Sequence, residues 1–525
     1  MKKIFFYVST LAAQLIFATN YYVSPSGDNN NNGLSTTTAF QTIEAATYAV
    51  SAGDTVYVRN GTYTKTYPES LIAYLTISGT AGNPITFRNY PGENPVLQMN
   101  ATNWAAFAIN GCDYITIDGF TIIGNNDNIT LAYAQSQQTN IGNPATSGNG
   151  IAINTEYQNE TNKPHHIIVR NCKISKCGGG GIYSYNADYI TIENNIVSEC
   201  GWYAPYGNSG ISIYQNWNSD SNNAVFKNFI TGNTCYRNEN FIPFYVVGTI
   251  TDGNGIIIDD CRNTQNNSTL GIYTGKTYVA NNLVFDNGAR GIHCFESDNV
   301  LVINNTSYKN CKSPTTREGE LTAIYASNIS FVNNIIDPEV NVPPISQYEA
   351  TNIIANKNLM TSNFDLANPQ GTNTVIGEAN FINPTTSFAT ADFHLQATSP
   401  AITVGTQTNA PITDKDGIIR LANGTIDIGC YEFATTLKNI SFESKTVKIY
   451  PNPTSETINI DLKDKITTNF EIVFYNAVGQ QIKIISEITN QDLLTFNISE
   501  LDSGIYFISK FEGKNETYLG KFVKN

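Results

Sequence analysis

Gly255-Ile-Ile-Ile-Asp259 is one of five short stretches that decide the fold of this chain. Each stretch opens with Gly-Ile and then alternates apolar and variable residues, which is the period-two pattern of a β-strand. The other four are Gly150-Ile-Ala-Ile-Asn154, Gly181-Ile-Tyr-Ser-Tyr185, Gly210-Ile-Ser-Ile-Tyr214 and Gly291-Ile-His-Cys-Phe295. Because they return roughly every 30 residues, with variable loops between them, they predict the coils of a solenoid.

A second strand type ends on asparagine and alternates with the first. It reads His166-Ile-Ile-Val-Arg-Asn171, Tyr189-Ile-Thr-Ile-Glu-Asn194, Thr277-Tyr-Val-Ala-Asn281, Val300-Leu-Val-Ile-Asn304 and Ile329-Ser-Phe-Val-Asn333. Asn228, which follows Ala224-Val-Phe-Lys227, is placed in the same column. Stacked strands let each amide bond to the amides above and below, so these asparagines predict a buried ladder. A β-sandwich, the structural alternative, would not repeat one residue at one position.

Nine cysteines are present, and they lack the paired spacing of a zinc site. An odd number cannot pair completely within one chain. We therefore expect buried free thiols, with one or two disulfides as the alternative. Four of them follow a ladder asparagine by six or seven residues and predict a second internal stack: Cys177, Cys200, Cys235 and Cys311.

The two ends of the repeat region resemble secreted bacterial parallel β-helix proteins of the pectate-lyase-like superfamily. The resemblance is carried by Tyr21-Tyr-Val-Ser-Pro-Ser-Gly-Asp28, by Phe40-Gln-Thr-Ile-Glu-Ala-Ala46, and by the closing Ile426-Asp-Ile-Gly-Cys-Tyr-Glu432. It implies an all-β protein with a right-handed single-stranded parallel β-helix over residues 20–434, capped by a short helix near residues 42–52. Lyases, glycosidases and binding proteins share this scaffold, so the fold leaves the substrate open.

The remaining segments indicate export. Residues 1–19 carry two lysines and then an apolar run too short to cross a membrane, which is typical of a Sec signal peptide. Residues 435–446 are interpreted as a linker. Residues 447–525, from Val447-Lys-Ile-Tyr-Pro-Asn-Pro-Thr454 onward, have the short strands of a small β-sandwich. They resemble the C-terminal sorting domain of type IX secretion substrates in Bacteroidetes-type bacteria, which implies the type IX machinery as a partner and a secreted or cell-surface location. A carbohydrate-binding sandwich is the alternative.

The formal net charge of −14 argues against nucleic acid as a partner. An acidic polysaccharide would need a locally basic cleft. No stretch of the chain predicts a membrane span, and we expect a monomer.

Aligning the Gly-Ile strands places a set of side chains on one outward face. The aromatic and amide members are predicted to bind an extended sugar chain, because rings stack on pyranose faces. These predicted substrate-binding residues are Tyr183, Tyr185, Tyr214, Gln215 and Trp217, together with Arg317. The long segments 125–148, 218–253 and 262–276 are expected to project as loops and to wall a cleft.

Four acids are predicted to meet on this face. Asp260 and Glu296 fall in adjacent coils, with Asp252 in the turn that enters and Asp259 beside them. Like charges at this spacing are costly unless a cation or a shared proton intervenes. Asp252, Asp260 and Glu296 are therefore candidate Ca²⁺ ligands. A pair of glycosidase carboxylates, or solvated acids at turns, are the alternatives.

His293 is predicted to face outward beside these acids, where it would suit a general acid or base. We name His293, Asp259, Asp260 and Arg290 as the candidate catalytic residues. Four further cationic side chains are expected near these residues, where they could neutralise the carboxylate of a uronate: Arg262, Lys276, Lys309 and Lys312. On the opposing interpretation these are scattered surface charges.

The resemblance and these residues together lead us to expect a polysaccharide lyase that cleaves a uronate-containing glycan by β-elimination. A glycoside hydrolase on the same scaffold is one alternative. Asp259-Asp260 and His293 are similar to the Asp-Asp pair and the histidine strand of polygalacturonase-like hydrolases, but the surrounding signatures are missing. A surface glycan-binding or adhesive β-helix without activity is the other alternative.

Overall fold

In a computed structural model the chain is an all-β solenoid followed by a smaller β-sheet unit. The structure describes residues 18–65, 70–155, 161–361, 371, 373–420, 425–433, 447–462, 470–476, 481–488, 493–512 and 515–525. Most of the predicted signal peptide and the whole predicted linker lie outside these residues, so both stay predictions. The chain divides into two units, one of residues 1–408 and 425–431, and a second of residues 409–424 and 432–525.

Three long sheets form the solenoid, and every strand pair in them is parallel. The first sheet contains β1 (Asn20–Val23), β2 (Thr55–Val58), β5 (Ile85–Asn89), β8 (Ile115–Asp118), β11 (His165–Arg170), β14 (Asp188–Glu193), β17 (Phe226–Thr231), β20 (Lys276–Ala280), β23 (Asp298–Ile303), β26 (Ser327–Val332) and β29 (Thr351–Asn356).

The second sheet carries the Gly-Ile strands. It contains β4 (Leu71–Leu75), β7 (Ala105–Asn110), β10 (Asn149–Asn154), β13 (Ile182–Tyr185), β16 (Ile211–Tyr214), β19 (Ile256–Asp259), β22 (Ile292–Phe295), β25 (Leu321–Ile324) and β28 (Ile345–Tyr348).

The third sheet is built from shorter strands. It contains β3 (Gly61–Tyr63), β6 (Pro95–Gln98), β9 (Thr121–Ile123), β12 (Lys173–Ser175), β15 (Ile196–Ser198), β18 (Thr234–Tyr236), β21 (Leu283–Phe285), β24 (Thr306–Tyr308), β27 (Ile335–Asp337), β30 (Leu359–Met360) and β31 (Val375–Ile376). Each coil therefore contributes one strand to each sheet, and the predicted parallel β-helix is confirmed.

Short helices and one hairpin complete the first unit. The helices are α1 (Ile43–Thr47), α2 (Leu131–Ser136) and α3 (Pro144–Ser147), with a 3₁₀ turn at Asn126–Asn128. Thr42 caps α1 by accepting a hydrogen bond from the Ala45 amide, so the predicted end helix exists but is shorter than expected. An antiparallel pair, β32 (Phe381–Asn383) and β33 (Asp392–Leu395), belongs to the closing segment.

The second unit contains two antiparallel sheets, in agreement with the small β-sandwich that the sequence pattern predicted. One is formed by β34 (Lys448–Tyr450), β35 (Thr457–Asp461) and β38 (Leu493–Asn497), and the other by β36 (Phe470–Asn476), β37 (Gln481–Ile488), β39 (Gly504–Glu512) and β40 (Asn515–Lys524). They share a core that includes Ile460, Phe474 and Phe522. In the part of the chain that the structure describes, no helix is long and apolar enough to cross a membrane.

The asparagine ladder is present, but it stands one residue beyond the predicted column. Asn171, Asn194, Asn281, Asn304 and Asn333 have left-handed backbones, with φ between 52° and 57°. The next residue of each coil points inward and forms the ladder, whose Nδ2-to-Oδ1 distances are 2.9–3.0 Å. Its members are Asn195, Asn233, Asn282, Asn305, Asn334 and Asn358.

Asn228 is not part of this ladder, because it lies within β17 and its Oδ1 accepts from the Ile190 amide. Asparagine is favoured at the preceding left-handed position for a separate reason, since it tolerates that backbone better than other residues. The repeated asparagine dipeptide therefore serves two functions, a turn and a ladder.

The predicted cysteine stack is real in part. All nine cysteines are buried and free of disulfides. Cys177 and Cys200 share a column, which Asn238, Asn287 and Asn310 continue as a second amide ladder. Cys235 instead lies in β18 on the third sheet, and Cys311 follows the last of these asparagines.

Candidate functional site

The outward face of the second sheet has the register that the Gly-Ile alignment predicted. Tyr183 pairs with Ser212, Ser212 with Ile257, and Ile257 with His293. Two residues further along each strand, the column runs through Tyr185, Tyr214, Asp259 and Phe295. Because side chains alternate along a strand, these two columns share one face.

The tyrosines of this face stack on one another. The Tyr185 and Tyr214 rings lie 5.6 Å apart and 18° from parallel, and Tyr183 is nearly parallel to Tyr185 at 6.5 Å. The Tyr214 hydroxyl accepts a hydrogen bond of 2.8 Å from Asn266 Nδ2. Neighbouring rings thus take up much of the ring faces that were expected to receive sugars, and the tyrosines present edges and hydroxyls to a ligand.

Asp259 is the carboxyl at the centre of the site. Burial raises its pKa well above the usual value, and repulsion from Asp252, Asp260 and Glu296 raises the pKa further. These three neighbours are acids that were expected on the same face, and their convergence in one cleft stays a prediction. A carboxyl in this setting keeps its proton to a higher pH than a free aspartate, which is the property of a general acid.

Asp260, the next residue, has a structural environment. Its backbone is left-handed, with φ 45°, and its side chain is fully buried. The carboxylate accepts from Gln215 Nε2 at 2.7 Å, from the Thr264 amide and hydroxyl at 2.8 and 3.0 Å, and from the Gln265 amide at 2.9 Å. These bonds hold the start of the loop that follows β19. They leave Asp260 and Gln215 positioned inside the protein, where they do not face a substrate.

The turn geometry explains why the sequence interpretation misplaced these two side chains. Every strand of this sheet from β13 to β28 is followed by a residue with left-handed φ: Asn186, Gln215, Asp260, Glu296, Tyr325 and Glu349. Simple alternation ends at such a residue, so its side chain does not continue the outward column.

Gln265 is a site residue that sequence reasoning missed. Its Nε2 lies 3.3 Å from Asp259 Oδ1 and 3.1 Å from Glu296 Oε2, so one amide bridges the two carboxylates. Its Oε1 is 3.4 Å from the Tyr214 hydroxyl. Nothing in an irregular loop of this composition marks a single glutamine in advance. The signal lay only in Asp260, which fixes the loop that carries Gln265.

The predicted calcium ligands are not assembled as a metal site. Asp260 is saturated by the bonds described above, and Asp252 accepts from the Thr251 hydroxyl and from Asn254 Nδ2. Among the residues that the structure describes, no group of three or more His, Cys, Asp or Glu side chains is arranged to hold an ion. The side chains as they stand do not fit a calcium ion, and the ion stays a prediction.

His293 and Arg290 lie deeper than expected. His293 is only 3 % exposed, and its Nδ1 is 2.5 Å from Thr322 Oγ1. Burial, and then the nearby Arg290, lower its pKa well below the usual value, so its imidazole is neutral near pH 7. Arg290 binds Glu318 at 2.8 Å and the Thr251 carbonyl at 2.6 Å, and it anchors the loop that precedes β19.

Two predicted substrate-binding residues lie apart from the tyrosines. The Trp217 indole donates to the Pro164 carbonyl and packs near His165, at the corner where the chain enters the first sheet. Arg317 donates to the carbonyls of Cys311 and Val340. Neither residue is brought to the outward columns by the contacts it makes.

The other cations proposed for uronate binding are also engaged. Arg262 binds Asp298 at 2.8 Å, and Lys276 donates to the Ala224 carbonyl. Lys309 binds Asp337 at 2.7 Å. Lys312 binds both Asp286 and Glu339, at 3.3 and 2.5 Å.

Loops flank this face at both ends of its strands. The loop before β19 carries an apolar tip, where Val246 and Val247 are 65 % and 57 % exposed. Tyr245 of the same tip meets Tyr206 edge-on at 5.7 Å. The loop after β19, residues 260–275, carries Gln265. The loop prediction is wrong for segment 218–253, which contains β17 and β18, and segment 125–148 contains α2 and α3. The tip before β19 and residues 260–275 do flank the tyrosine and acid columns, and the cleft they were expected to wall stays a prediction.

The three parallel sheets define the class of the solenoid unit as a parallel β-helix. Residues 21–328, more than half of the chain, match the model of the Pel9A-like right-handed β-helix region, and the chain belongs to that family. Residues 448–525 match the secretion system C-terminal sorting domain. The type IX sorting domain indicates secretion or export to the cell surface by that machinery.

Similar proteins include two curated sequences. The chain is 38 % identical over 106 residues to the uncharacterised protein YwoF of Bacillus subtilis, covering 19 % of this chain and 21 % of that protein. It is 39 % identical over 82 residues to the pectate lyase PEL9 of Emericella nidulans, covering 16 % of this chain and 19 % of that protein. The chain thus spans about a fifth of the length of the curated relatives it matches.

Among solved structures, the pectate lyase Pel9A is 19 % identical with a TM-score of 0.47, over 79 % of this chain and 96 % of that chain. A rhamnogalacturonan lyase is 16 % identical with a TM-score of 0.36, over 70 % of this chain and 91 % of that chain.

Proposed function

We propose that this chain is an exported polysaccharide lyase that cleaves a uronate-containing glycan by β-elimination on the outward face of the second sheet. The proposal is supported by membership of the Pel9A-like family and by the chemistry of two neighbouring coils. The observation that carries it is Asp259, a carboxyl whose burial and acidic neighbours favour its protonated form. A proton held in this way is available to the leaving oxygen of a glycosidic bond.

His293 is the matching proton acceptor. Asp259 pairs with Phe295 in the next coil, and His293 stands two residues before Phe295 in the same strand. By strand geometry the Cα atoms of His293 and Asp259 are therefore about 8 Å apart. A neutral imidazole can accept the proton from C5 of the uronate. The C5–H electrons then form the C4–C5 double bond, the C4–O bond breaks, and the leaving oxygen takes the proton of Asp259. No water is consumed.

Gln265 positions the acid. Its amide nitrogen donates to both Asp259 and Glu296 and so ties the acid to the loop that follows β19. The tyrosine hydroxyls and the two loop walls line the path along which a glycan would lie.

The test is incubation of the purified chain with pectin, alginate and other uronate polymers. Elimination yields unsaturated ends that absorb in the ultraviolet, in step with new reducing ends. Reducing ends without this absorbance would reject a lyase, and no shortening of any glycan would favour a binding or adhesive protein.

A retaining glycoside hydrolase is the second candidate, and one observation favours it. Asp259 and Glu296 bond to the same amide nitrogen, at 3.3 and 3.1 Å. This arrangement keeps their oxygens closer than the separation of about 6.5–9.5 Å that inverting glycosidases use. In that case Glu296→Gln would abolish cleavage, whereas in the lyase it would leave elimination largely intact.

A further inference from the structure

The outward face of the second sheet carries no positive charge on its strands from β13 to β28, all of which the structure describes. One column contains Tyr183, Ser212, Ile257, His293, Thr322 and Ser346, and the other contains Tyr185, Tyr214, Asp259, Phe295, Ile324 and Tyr348. None of these residues is lysine or arginine. His293 is neutral, and Asp259, the one carboxyl in these columns, cannot supply a positive charge.

The cations at the margins of this face do not change that balance. Arg290 is 6 % exposed, and it forms an ion pair with Glu318 and a hydrogen bond to the Thr251 carbonyl. Arg262 forms a two-pronged pair with Asp298, with both Nε and Nη2 within 3.1 Å of the carboxylate. A uronate carboxylate could recruit either one only by breaking an existing ion pair, which would leave another acid unpaired.

A polyanion on this face would meet repulsion. It would lie beside Asp252 and Glu296, the acids that surround Asp259, on a protein of formal net charge −14, without a counter-charge for its carboxylates. An electrostatic mismatch of this kind discriminates strongly between charged and neutral ligands, because bringing like charges together is unfavourable.

We infer that the uronates bound on this face carry their carboxyl groups as neutral alkyl esters. This inference rests on the proposed function and specifies its substrate. An ester needs no cation to stabilise the charge that develops when the C5 proton leaves, so His293 and Asp259 suffice for the elimination described above. The bonds broken and formed are the same, and the ester itself is unchanged by the step.

Apolar positions on the same columns fit the ester groups. Phe295 follows Asp259, Ile324 follows Phe295, and Tyr348, which is 56 % exposed, follows Ile324. Equivalent positions in successive coils are about 4.8 Å apart, so a glycan lying along the solenoid axis meets an apolar side chain at each coil beyond Asp259. Methyl groups that are covered there gain from leaving water, whereas carboxylates would not.

The experiment compares fully methyl-esterified polygalacturonan with the unesterified polymer at equal sugar concentration. The rate of ultraviolet absorbance is recorded with a chelator and, separately, with added Ca²⁺. We expect at least a roughly tenfold faster rate on the esterified polymer and no loss with the chelator. A faster rate on the unesterified polymer, or a rate that requires Ca²⁺, overturns the ester inference while elimination stands. Absence of unsaturated product from both polymers overturns the proposed function itself.

A charge-introducing variant gives a second readout. Ile324→Lys places a cation two coils from Asp259, and Ile324→Met is its uncharged control, because methionine is as long as lysine but keeps the apolar contact. We expect the lysine variant to shift the ratio of the two rates toward the unesterified polymer by roughly fivefold or more, and the methionine variant to leave the ratio unchanged. An equal ratio in both variants, with both folded by circular dichroism, contradicts the inference.

Discussion

Two adjacent aspartates on β19 and its turn have opposite environments. Asp259 faces outward among other acids and has one long hydrogen bond from Gln265. Asp260 is buried and accepts four hydrogen bonds, three of them from the loop it holds. The left-handed backbone at Asp260 causes this difference, because it redirects the side chain out of the strand alternation.

Substitution separates the two roles. Asp260→Ala leaves the Gln215 amide and the loop donors unpaired, so we expect a loss of about 3 kcal/mol in the free energy of unfolding. Asp259→Asn replaces a protonated carboxyl by a neutral amide of the same shape and is expected to leave that free energy unchanged. Urea unfolding followed by circular dichroism measures both. Equal destabilisation by the two variants would contradict the assignment.

For individual residues, the sequence predicted the register of the strand residues but not the orientation of the side chains in the turns. The register of Tyr214, Asp259 and His293 followed from Gly-Ile repeats, since period-two alternation holds within a strand. Trp217 and Asp260 were placed wrongly because both lie beyond the strand, at or after the left-handed turn. Gln265 could not be found, because its position depends on the path of an irregular loop.

The ladders are the elements that hold neighbouring coils in register. The ladder asparagines from Asn195 to Asn334 donate through Nδ2 to the next amide and also to a backbone carbonyl, as Asn305 does to Asn334 and to Val279. The Oδ1 atom of Asn305 also accepts a hydrogen bond from the backbone amide of Asn282. A buried amide with this many partners is expensive to remove, whereas an exposed one is not.

Asn305→Ala is therefore expected to cost about 3 kcal/mol of unfolding free energy. Asn328→Gly is the control, because Asn328 also bonds to an asparagine of the neighbouring coil but is solvent-exposed, and glycine adopts its left-handed backbone (φ 57°) without strain. We expect the control to change stability by less than about 0.5 kcal/mol. The free energy of unfolding is measured with urea. Comparable losses in the two variants would show that the buried ladder bond stabilises the fold no more than an exposed one.

Glu320 ends the second ladder and makes it sensitive to pH. Its Oε1 accepts from Asn310 and from the Ser307 hydroxyl, whereas its buried Oε2 has no hydrogen-bond partner among the described residues. Burial raises the pKa of Glu320 from its usual 4.5 to about 7. The folded chain therefore binds this proton more tightly than the unfolded chain does.

The stability contributed by that proton is complete below about pH 4.5 and is lost as the pH rises through about 7. We expect up to about 3 kcal/mol less stability at pH 8 than at pH 5 from this group. Glu320→Gln cannot ionise, so it should be more stable than the natural chain at pH 8 and similar to it at pH 5. Urea midpoints that differ between the two chains by the same amount at both pH values would refute this.

The ladders also show the limit of pattern recognition. Repeated asparagines correctly indicated stacked coils, yet the continuous ladder is formed by the following residue, although Asn333 Nδ2 in the predicted column also donates to Asn304 Oδ1 at 3.1 Å. A dipeptide repeat carries no sign of which member lies in the left-handed turn and which points inward. The fold was predictable because it depends on the period of the repeat, and the ladder position was not, because it depends on one backbone angle.

The whole molecule combines a Pel9A-like β-helix with a secretion sorting domain. The solenoid presents one long face between two sets of loops, and the family match places it among Pel9A-like β-helices. The C-terminal sorting domain indicates work outside the cell, where polysaccharides occur. The acidic composition and the lack of cations on the described strands of the tyrosine face are the grounds on which we propose a glycan with esterified uronates as the ligand.

The most direct test of the central claim is the ultraviolet absorbance produced from esterified polygalacturonan by the natural chain and by Asp259→Asn. Glu193→Gln is the control, because it makes the same change from acid to amide on the outward face of the first sheet. We predict steady formation of unsaturated product by the natural chain and the control, and a loss of about 10²–10⁴-fold in Asp259→Asn, as expected when a general acid is removed. Full activity in Asp259→Asn, or no unsaturated product from the natural chain, would contradict the account.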